Sequence, residues 1–469
     1  MRRVLLTVHK FFPEHKAGTE VLTLKVAQEL QRRGYEILVV TANPPDTDAR
    51  HAIGDESSDY VYQEVPVHMI GESLRLKDYT FEHEFKHPAI ASHFKEVVER
   101  FKPDLLHVFH AQNLSASIID VAVEQNLPVV FSATDFWFVC PIVQLKKPDG
   151  SVCRGPSLAA GNCLSCYTPH LIPPKSEFME QLKKKYPALT QPLNAVPSPI
   201  KQIAEDVLLS AYVATKLPDA VGSTMRRPQI LREAANKTRA IMVPTQLMRD
   251  IFVENGVRAE LIRHVPFGID SSPLIPFQNK VASDVMRFGF IGTLFEHKGP
   301  DLLIKAFQSL PVDSKAELKI YGDLQQFPEY GKQLTELLEK NARNREKIHF
   351  LGTFPNAELG NVLQNMDVLV VPSRWYENTP LVIQSALATK TPLIVTNLGG
   401  MAELIRHEFN GLVFDLNSES SLAEQMSRVL KNPEILENMK DNIVPERTIP
   451  QMVDDIEAVY NETAFALKK

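Results

Sequence analysis

The chain has 469 residues, 44% of them hydrophobic and 23% charged, with a net charge of −6. That length suits two or three domains at roughly 100–200 residues each, and the composition is ordinary for a globular protein. The charge balance excludes the broad basic footprint of a nucleic-acid binder, and no apolar run approaches the ~18 residues of a membrane span.

Residues 4–8 form a short apolar run that reads as a first strand. The basic Met1-Arg2-Arg3 start leads straight into it, without the long apolar stretch and small-residue cleavage site of a signal peptide. The expected location is therefore cytoplasmic, with peripheral attachment to the inner membrane as a variant. Loop 9–18 follows, then a helical stretch at 19–33 that stops at Gly34. Strands are expected at 36–41, 105–109 and 129–132, and helices at 93–100 and 115–125. Strands alternating with helices imply right-handed crossovers and a parallel sheet. From Cys140 to Cys166 the pattern breaks into a Pro/Gly-containing loop that holds every cysteine. Residues 170–240 are mixed and largely helical, with helices expected at 176–185 and 200–214. A strand at 240–243, a helix at 245–255 and a strand at 262–266 close the first half.

Residues 271–284 are polar and proline-containing, which suits a linker. The rhythm then restarts. Strands are expected at 287–291, 318–321, 348–351, 367–371 and 393–396, and helices at 301–309, 330–341, 357–365 and 380–389. The fold class is α/β, with two doubly wound sheets facing across a cleft. Ligands in such sheets lie at the carboxyl ends of the strands, so the loops there hold the candidate chemistry.

Three loops stand out. In HKFFPEHKAGTE (9–20), Gly18 lets backbone approach a ligand, and the helix start beyond it offers free N–H groups to a phosphate. An ordinary strand-to-helix turn is the alternative. In FGFIGTLFEHKGP (288–300), Lys298 precedes Gly299 and a helix start, from which a lysine can pair with a diphosphate. A solvated surface lysine is the commoner fate. In DVLVVPSRWYENTPLVIQSALATK (367–390), Thr379 suits a helix N-cap and Pro380 the first helical position. Glu377 stands just ahead, where it can accept from sugar hydroxyls or simply complement the helix dipole. A fourth turn, LGGMAELI (398–405), precedes a short helix expected near Met401.

Taken in order, these segments resemble the retaining GT-B glycosyltransferases of family 4. PEHKAGTE, DLLHVFH, ATDFWFVCP, GID at 268–270, EHKGPDLLIKAF, PSRWYENTPLVI, GGMAELI and NGLVFD at 410–415 follow the family's order over nearly the whole chain. The resemblance implies two Rossmann-like domains. Residues 1–270 would be the acceptor side with the cysteine loop and a helical insertion, and 286–445 the nucleotide-sugar side. A C-terminal helix at 446–469 would pack back on the first domain. It implies transfer from a nucleotide-diphosphate sugar (UDP- or GDP-sugar) to a glycan, lipid-linked or other acceptor, with retention and without a catalytic metal.

The same resemblance gives Lys298 the donor diphosphate and Glu377, as first glutamate of an E-x7-E motif, the donor sugar. Asn378, Thr379, Pro380 and Leu381 correspond to a segment whose backbone meets sugar and phosphate, and Gly18 to a glycine that approaches the phosphates. Asp135 and His110 fall near the acceptor, although either could be a hydrogen-bonded structural residue. Three positions depart from the family pattern. Ser385 replaces a ribose-holding glutamate, Thr293 stands where an arginine often follows the strand, and Thr134 where many relatives have histidine. Ser385 can donate one hydrogen bond but cannot accept from both ribose hydroxyls as a carboxylate does. A catalytically silent homologue and a sugar-nucleotide epimerase are the alternatives. The three lysines at 183–185 could touch an anionic membrane surface, but a solvated helix face is the commoner reading.

Cys140, Cys153, Cys163 and Cys166 lie within 27 residues as C-x12-C-x9-C-x2-C. The C-x2-C pair suits two ligands of a structural tetrahedral zinc. Free thiols are a second reading, and disulfides, which a cytoplasmic chain disfavours, a third.

Overall fold

Short, almost wholly apolar runs become inner strands, as expected of parallel strands covered on both faces. The strands of the N-terminal part are β1 (Arg3–Thr7), β2 (Glu36–Ala42), β3 (Ser58–Tyr62), β4 (Val65–Ile70), β5 (Leu105–Val108), β6 (Val129–Ser132), β7 (Ala240–Val243) and β8 (Ile262–His264), with β3 and β8 at the edges. They form one sheet in the order β3-β4-β2-β1-β5-β6-β7-β8. β1 runs parallel to β2 and β5, β5 to β6, and β2 to β4, while β3 and β4 pair antiparallel at one edge. The computed structural model describes residues 2–42, 57–76, 80–171, 178–180, 182–183, 186–192, 197–444 and 447–465.

The C-terminal part holds β9 (Met286–Ile291), β10 (Ala316–Tyr321), β11 (Ile348–Phe350), β12 (Val368–Val371), β13 (Leu393–Thr396) and β14 (Leu412–Phe414). Their order is β11-β10-β9-β12-β13-β14, and every neighbouring pair is parallel. The chain winds outward from β9 in one direction and from β12 in the other. The gap between these two strands is thus the switch point, where ligands of doubly wound sheets lodge. The core beneath it packs Phe288, Phe290, Leu303, Phe307, Leu318, Val370 and Ile394, all essentially buried.

By contacts the chain clusters into two compact units. One comprises Met1–Thr23, Gly34–Ile241 and Phe252–Leu261, the other Leu24–Arg33, Met242–Ile251 and Ile262–Lys469. No described helix is long and apolar enough to cross a membrane.

The departures from the sequence pattern have physical causes. β3 is an exposed edge strand, Ser58–Tyr62, with no apolar alternation to announce it, and β14 is only three residues long. The helix expected at 200–214 runs as Ser198–Asn236, straight through Pro218 and Pro228. Proline normally interrupts a helix. Here burial of Ala220, Leu231, Ala234 and Ala235 holds the far half in register. Of the helix expected at 176–185, residues 176–177, 181 and 184–185 lie outside the described residues, and with them two of the three lysines.

Candidate functional site

The C-terminal candidate site is built on the loops that leave β9 and β12. After β9 a one-turn 3-10 helix, Glu296–Lys298, leads to Gly299 and then to the helix Pro300–Gln308. Gly299 has φ +72°, and a Cβ there would fall 2.2 Å from the Pro372 carbonyl oxygen. Only glycine lets the two loops come this close. Arg374 fastens them together. Its backbone N–H donates to the His297 carbonyl at 2.7 Å, and its guanidinium to Asp301 Oδ2 at 2.8 Å. Tyr330 O–H donates to the other Asp301 oxygen at 2.7 Å. Burial would push the Asp301 carboxyl up, but the bonds from Arg374 and Tyr330 and the Arg374 charge hold it below the usual range. The ion complements the helix start it occupies.

Glu377 is the centre of this site. It is 8% exposed, and its Oε1 accepts from Lys298 Nζ at 2.5 Å, Trp375 Nε1 at 2.7 Å and Ser373 Oγ at 2.9 Å. Burial pushes the carboxyl up, yet the Lys298 charge and the three bonds outweigh it and keep the group ionised below its ordinary pKa. Among the described residues no donor meets Oε2. The backbone behind it is equally constrained. Gly400 N–H donates to the Glu377 carbonyl at 3.2 Å, and a Cβ on Gly400 would lie 1.9 Å from the Asn378 carbonyl oxygen.

The following helix is Leu381–Ala388, with Pro380 as its N-cap. The expected assignment of Thr379 as N-cap and Pro380 as first helical residue is therefore off by one. The Pro380 ψ of 122° is extended, so the helix starts only after it. No side chain caps it, and the first N–H groups of a helix have no acceptor within it. Ser385 lies one turn further on, and its Oγ donates to the Leu381 carbonyl at 2.9 Å. A hydroxyl has one proton to give, and here the Leu381 carbonyl takes it. Thr293 follows directly after β9 and Gly292, its carbonyl accepting from Phe295 N–H at 3.0 Å.

The candidate residues of the N-terminal part have another character. Gly18 opens the helix Gly18–Arg32. His110, just past β5, is 2% exposed. Its Nδ1 accepts from Gln112 N–H at 3.0 Å, which places its proton on Nε2, 2.6 Å from Asp135 Oδ2. Asp135 Oδ1 in turn accepts from Trp137 N–H at 2.8 Å. Thr134 donates to the Phe109 carbonyl at 3.2 Å. The His9 ring centroid lies 4.1 Å from that of His110, and His9 Nε2 is 3.5 Å from Glu20 Oε1. Burial, with the neighbouring His110, Lys10 and His15, pushes His9 well down, while burial raises the Glu20 carboxyl.

Residues 17–150 match the family described as Glycosyltransferase Family 4, and residues 271–444 the one described as Glycosyl transferases group 1. The chain belongs to the family 4 glycosyltransferases. Putative glycosyltransferase YtcC of Bacillus subtilis (strain 168) is 29% identical over 228 residues, covering 45% of this chain and 56% of the relative. A UDP-Gal:alpha-D-GlcNAc-diphosphoundecaprenol alpha-1,3-galactosyltransferase of Escherichia coli is 28% identical over 213 residues, 42% of this chain and 53% of the relative. The chain thus spans about half the length of these curated relatives. Anabaena HepE, solved in complex with UDP and glucose, superposes with a TM-score of 0.62 at 14% identity, over 98% of this chain and 100% of that one. At that identity the likeness is one of fold. It places this family 4 member in the GT-B architecture, two domains built on parallel sheets.

The cysteine loop of this glycosyltransferase homologue corrects one expectation. Cys140, Cys153, Cys163 and Cys166 are all free thiols. Cys153 Sγ is engaged by the Gly155 backbone and by Asn162 Nδ2, at 3.2–3.5 Å, and Cys163 Sγ by Asn162 Oδ1 at 3.6 Å. Burial, with the neighbouring cysteines, pushes the Cys163 thiol up to about 12. Among the described residues no three His, Cys, Asp or Glu gather into a metal-holding group. The zinc reading is not supported, and the four cysteines form no disulfide.

The structure also brings in residues that the sequence did not single out. Ser373 and Trp375 are donors to Glu377, and Asp301, Tyr330 and Arg374 tie its loop to the helix of Lys298. Their spacing from Glu377, four residues and two, was the available signal.

Proposed function

We propose that this protein transfers a sugar from a nucleotide-diphosphate sugar to a hydroxyl acceptor, with retention at the anomeric carbon. The observation that carries the reading is the Lys298–Glu377 pair at the β9/β12 switch point, an ionised buried carboxylate beside a cation and an uncapped helix start. Lys298 and the N–H groups at Leu381 suit the two charges of a diphosphate, and Glu377 Oε2 suits a sugar hydroxyl. HepE, solved with UDP and glucose, supports a donor of this class.

In the proposed reaction the acceptor oxygen bonds to the anomeric carbon as the bond to the diphosphate breaks. The acceptor proton passes to the departing phosphate oxygen on the same face. Lys298 and the helix start stabilise the developing negative charge there, the electrostatic role that dominates in such sites. Gly18 is assigned to the phosphates. Asp135, with its oxygen held by the His110 Nε2–H, is assigned to the acceptor hydroxyl. Residues 1–270 are assigned to the acceptor and 286–445 to the donor.

The test is a transfer assay over a panel of UDP- and GDP-sugars, with product anomeric configuration read by NMR. Transfer with retention from one donor class, lost in Glu377→Ala while folding is kept, is the expected result. Absence of turnover with every donor, together with no nucleotide binding, would favour the catalytically silent homologue. Epimerised free sugar without an acceptor would favour the epimerase.

A further inference from the structure

Three donors crowd one oxygen of Glu377, and they differ in kind. Lys298 Nζ is a cation that a diphosphate would also attract. Ser373 Oγ and Trp375 Nε1 are neutral and feel no such pull. The indole touches both members of the ion pair: its N–H reaches Glu377 Oε1 at 2.7 Å, and Lys298 Nζ lies 5.1 Å from its ring centroid. The His297 ring packs edge-on against it at 4.8 Å, fixing the indole from the β9 side. A carboxylate offers about four acceptor positions over its two oxygens. Convergence of all three donors on Oε1 therefore leaves Oε2 as the oxygen with capacity for a ligand.

We propose that Trp375 is a positioning residue for the donor sugar, holding Glu377 by Oε1 so that Oε2 stays presented while Lys298 turns to the diphosphate. The inference rests on the reading that Glu377 meets the donor sugar. The physical need is specific. A buried carboxylate that shares its cation with a ligand must either take up a proton or keep other donors. A bond from an N–H to an ionised oxygen is of the strong, charge-assisted kind. Its geometry does not change when a phosphate arrives, because the indole carries no charge. Ser373 makes the same kind of bond with a hydroxyl, slightly longer at 2.9 Å.

This role separates sugar recognition from nucleotide recognition. In Trp375→Phe the ring, its contact with His297 and its face toward Lys298 persist, and only the N–H is lost. Titrating UDP, GDP, UDP-glucose and GDP-mannose into wild type and variant gives two affinities for whichever nucleotide binds. The expected result is nucleoside diphosphate affinity unchanged within about twofold and nucleotide-sugar affinity about tenfold weaker, the scale of one hydrogen bond to a charged group. The acid limb of transfer activity should also move to higher pH, because the carboxylate has lost a stabilising donor. Ser373→Ala, which leaves the indole intact, should shift both readouts in the same direction and guards against misfolding of the tryptophan variant. Equal weakening of nucleotide and nucleotide sugar, or no change in either, would overturn the positioning role while leaving the transferase reading intact. A wild type whose nucleotide-sugar affinity is insensitive to Glu377→Ala would remove the reading of Glu377 itself, and this inference with it.

Discussion

Glu20 and Glu377 are both buried glutamates at the strand ends of this protein, and their ionisation is driven in opposite directions. Glu20 is 1% exposed, has a histidine nitrogen 3.5 Å away, and is raised. Glu377 is 8% exposed, has a lysine nitrogen 2.5 Å away with two further donors, and is lowered. Burial acts the same way on each, so the partners decide. His9 cannot supply the missing charge, because its own burial disfavours the imidazolium. The C-terminal site is therefore a place of fixed, paired charge, suited to an anionic ligand. In the N-terminal site burial works against the charged forms of His9 and Glu20, beside the His110–Asp135 hydrogen bond.

The largest effect should come from removing the ionised partner. Glu377→Ala is expected to lower kcat/KM for transfer by about 100-fold or more, the scale seen when a preorganised polar contact to the reacting group is lost. Asp135→Asn, in the N-terminal site, should act mainly through the acceptor KM. If Glu377→Ala is the milder of the two, the assignment of donor and acceptor sides is reversed.

Stability sharpens the same contrast. Lys298→Ala leaves Glu377 buried without its cation. A loss of about 2–3 kcal/mol in urea unfolding is expected, below the ~3–5 kcal/mol for broken buried pairs because Lys298 is partly exposed. A similar loss is expected on mild acidification, from a third group. His107 is fully buried, donating or accepting at Ser132 Oγ at 2.8 Å, and burial takes it to about 3. Its folded pKa is below the unfolded ~6.5, so the unfolded chain takes up the proton first and stability falls as pH drops below ~6.5. Between pH 7 and pH 5 this amounts to about 2 kcal/mol, readable as a shift in the urea midpoint that is smaller by about that amount in His107→Gln, while buried His9 still contributes in the same direction.

The smallest effects separate the two glutamates by sign. Glu377 is lowered, so its contribution is present above ~4.3 and lost as pH falls through its folded value. Glu20 is raised, so its ionised form is disfavoured in the folded state and stability falls as pH rises from ~4.3 toward its folded value. Glu20→Gln should change stability at neutral pH by about 1 kcal/mol or less and flatten that alkaline-side slope. A Glu20→Gln profile that instead flattens the acid side would show that His9 carries the positive charge after all.

Much of this was legible in the sequence because it depends on local order. The apolar runs gave the inner strands of both sheets, and the loops after β1, β9 and β12 were found at the strand ends where Lys298, Glu377 and Gly18 stand. What stayed hidden depends on distance in space or on tertiary compensation. Nothing in the sequence near Glu377 says that Lys298, 79 residues earlier, meets the same oxygen as Trp375 and Ser373. The direction of the Ser385 hydroxyl was hidden because a helical serine can bond back to its own turn. The helix through Pro218 and Pro228 was cut short because the propensity of proline is local and the burial that overrides it is not. The cysteine spacing suggested a metal because spacing carries no information about burial, which raises the Cys140 and Cys163 thiols.

Isothermal titration of UDP and GDP into the wild type and Lys298→Ala tests most directly whether a diphosphate sits at the Lys298–Glu377 pair. One nucleotide should bind the wild type, and the substitution should weaken it at least tenfold, the scale of a charge-assisted contact to phosphate. Binding that is unchanged in Lys298→Ala would contradict that placement, since the diphosphate would then lie elsewhere than at the Lys298–Glu377 pair.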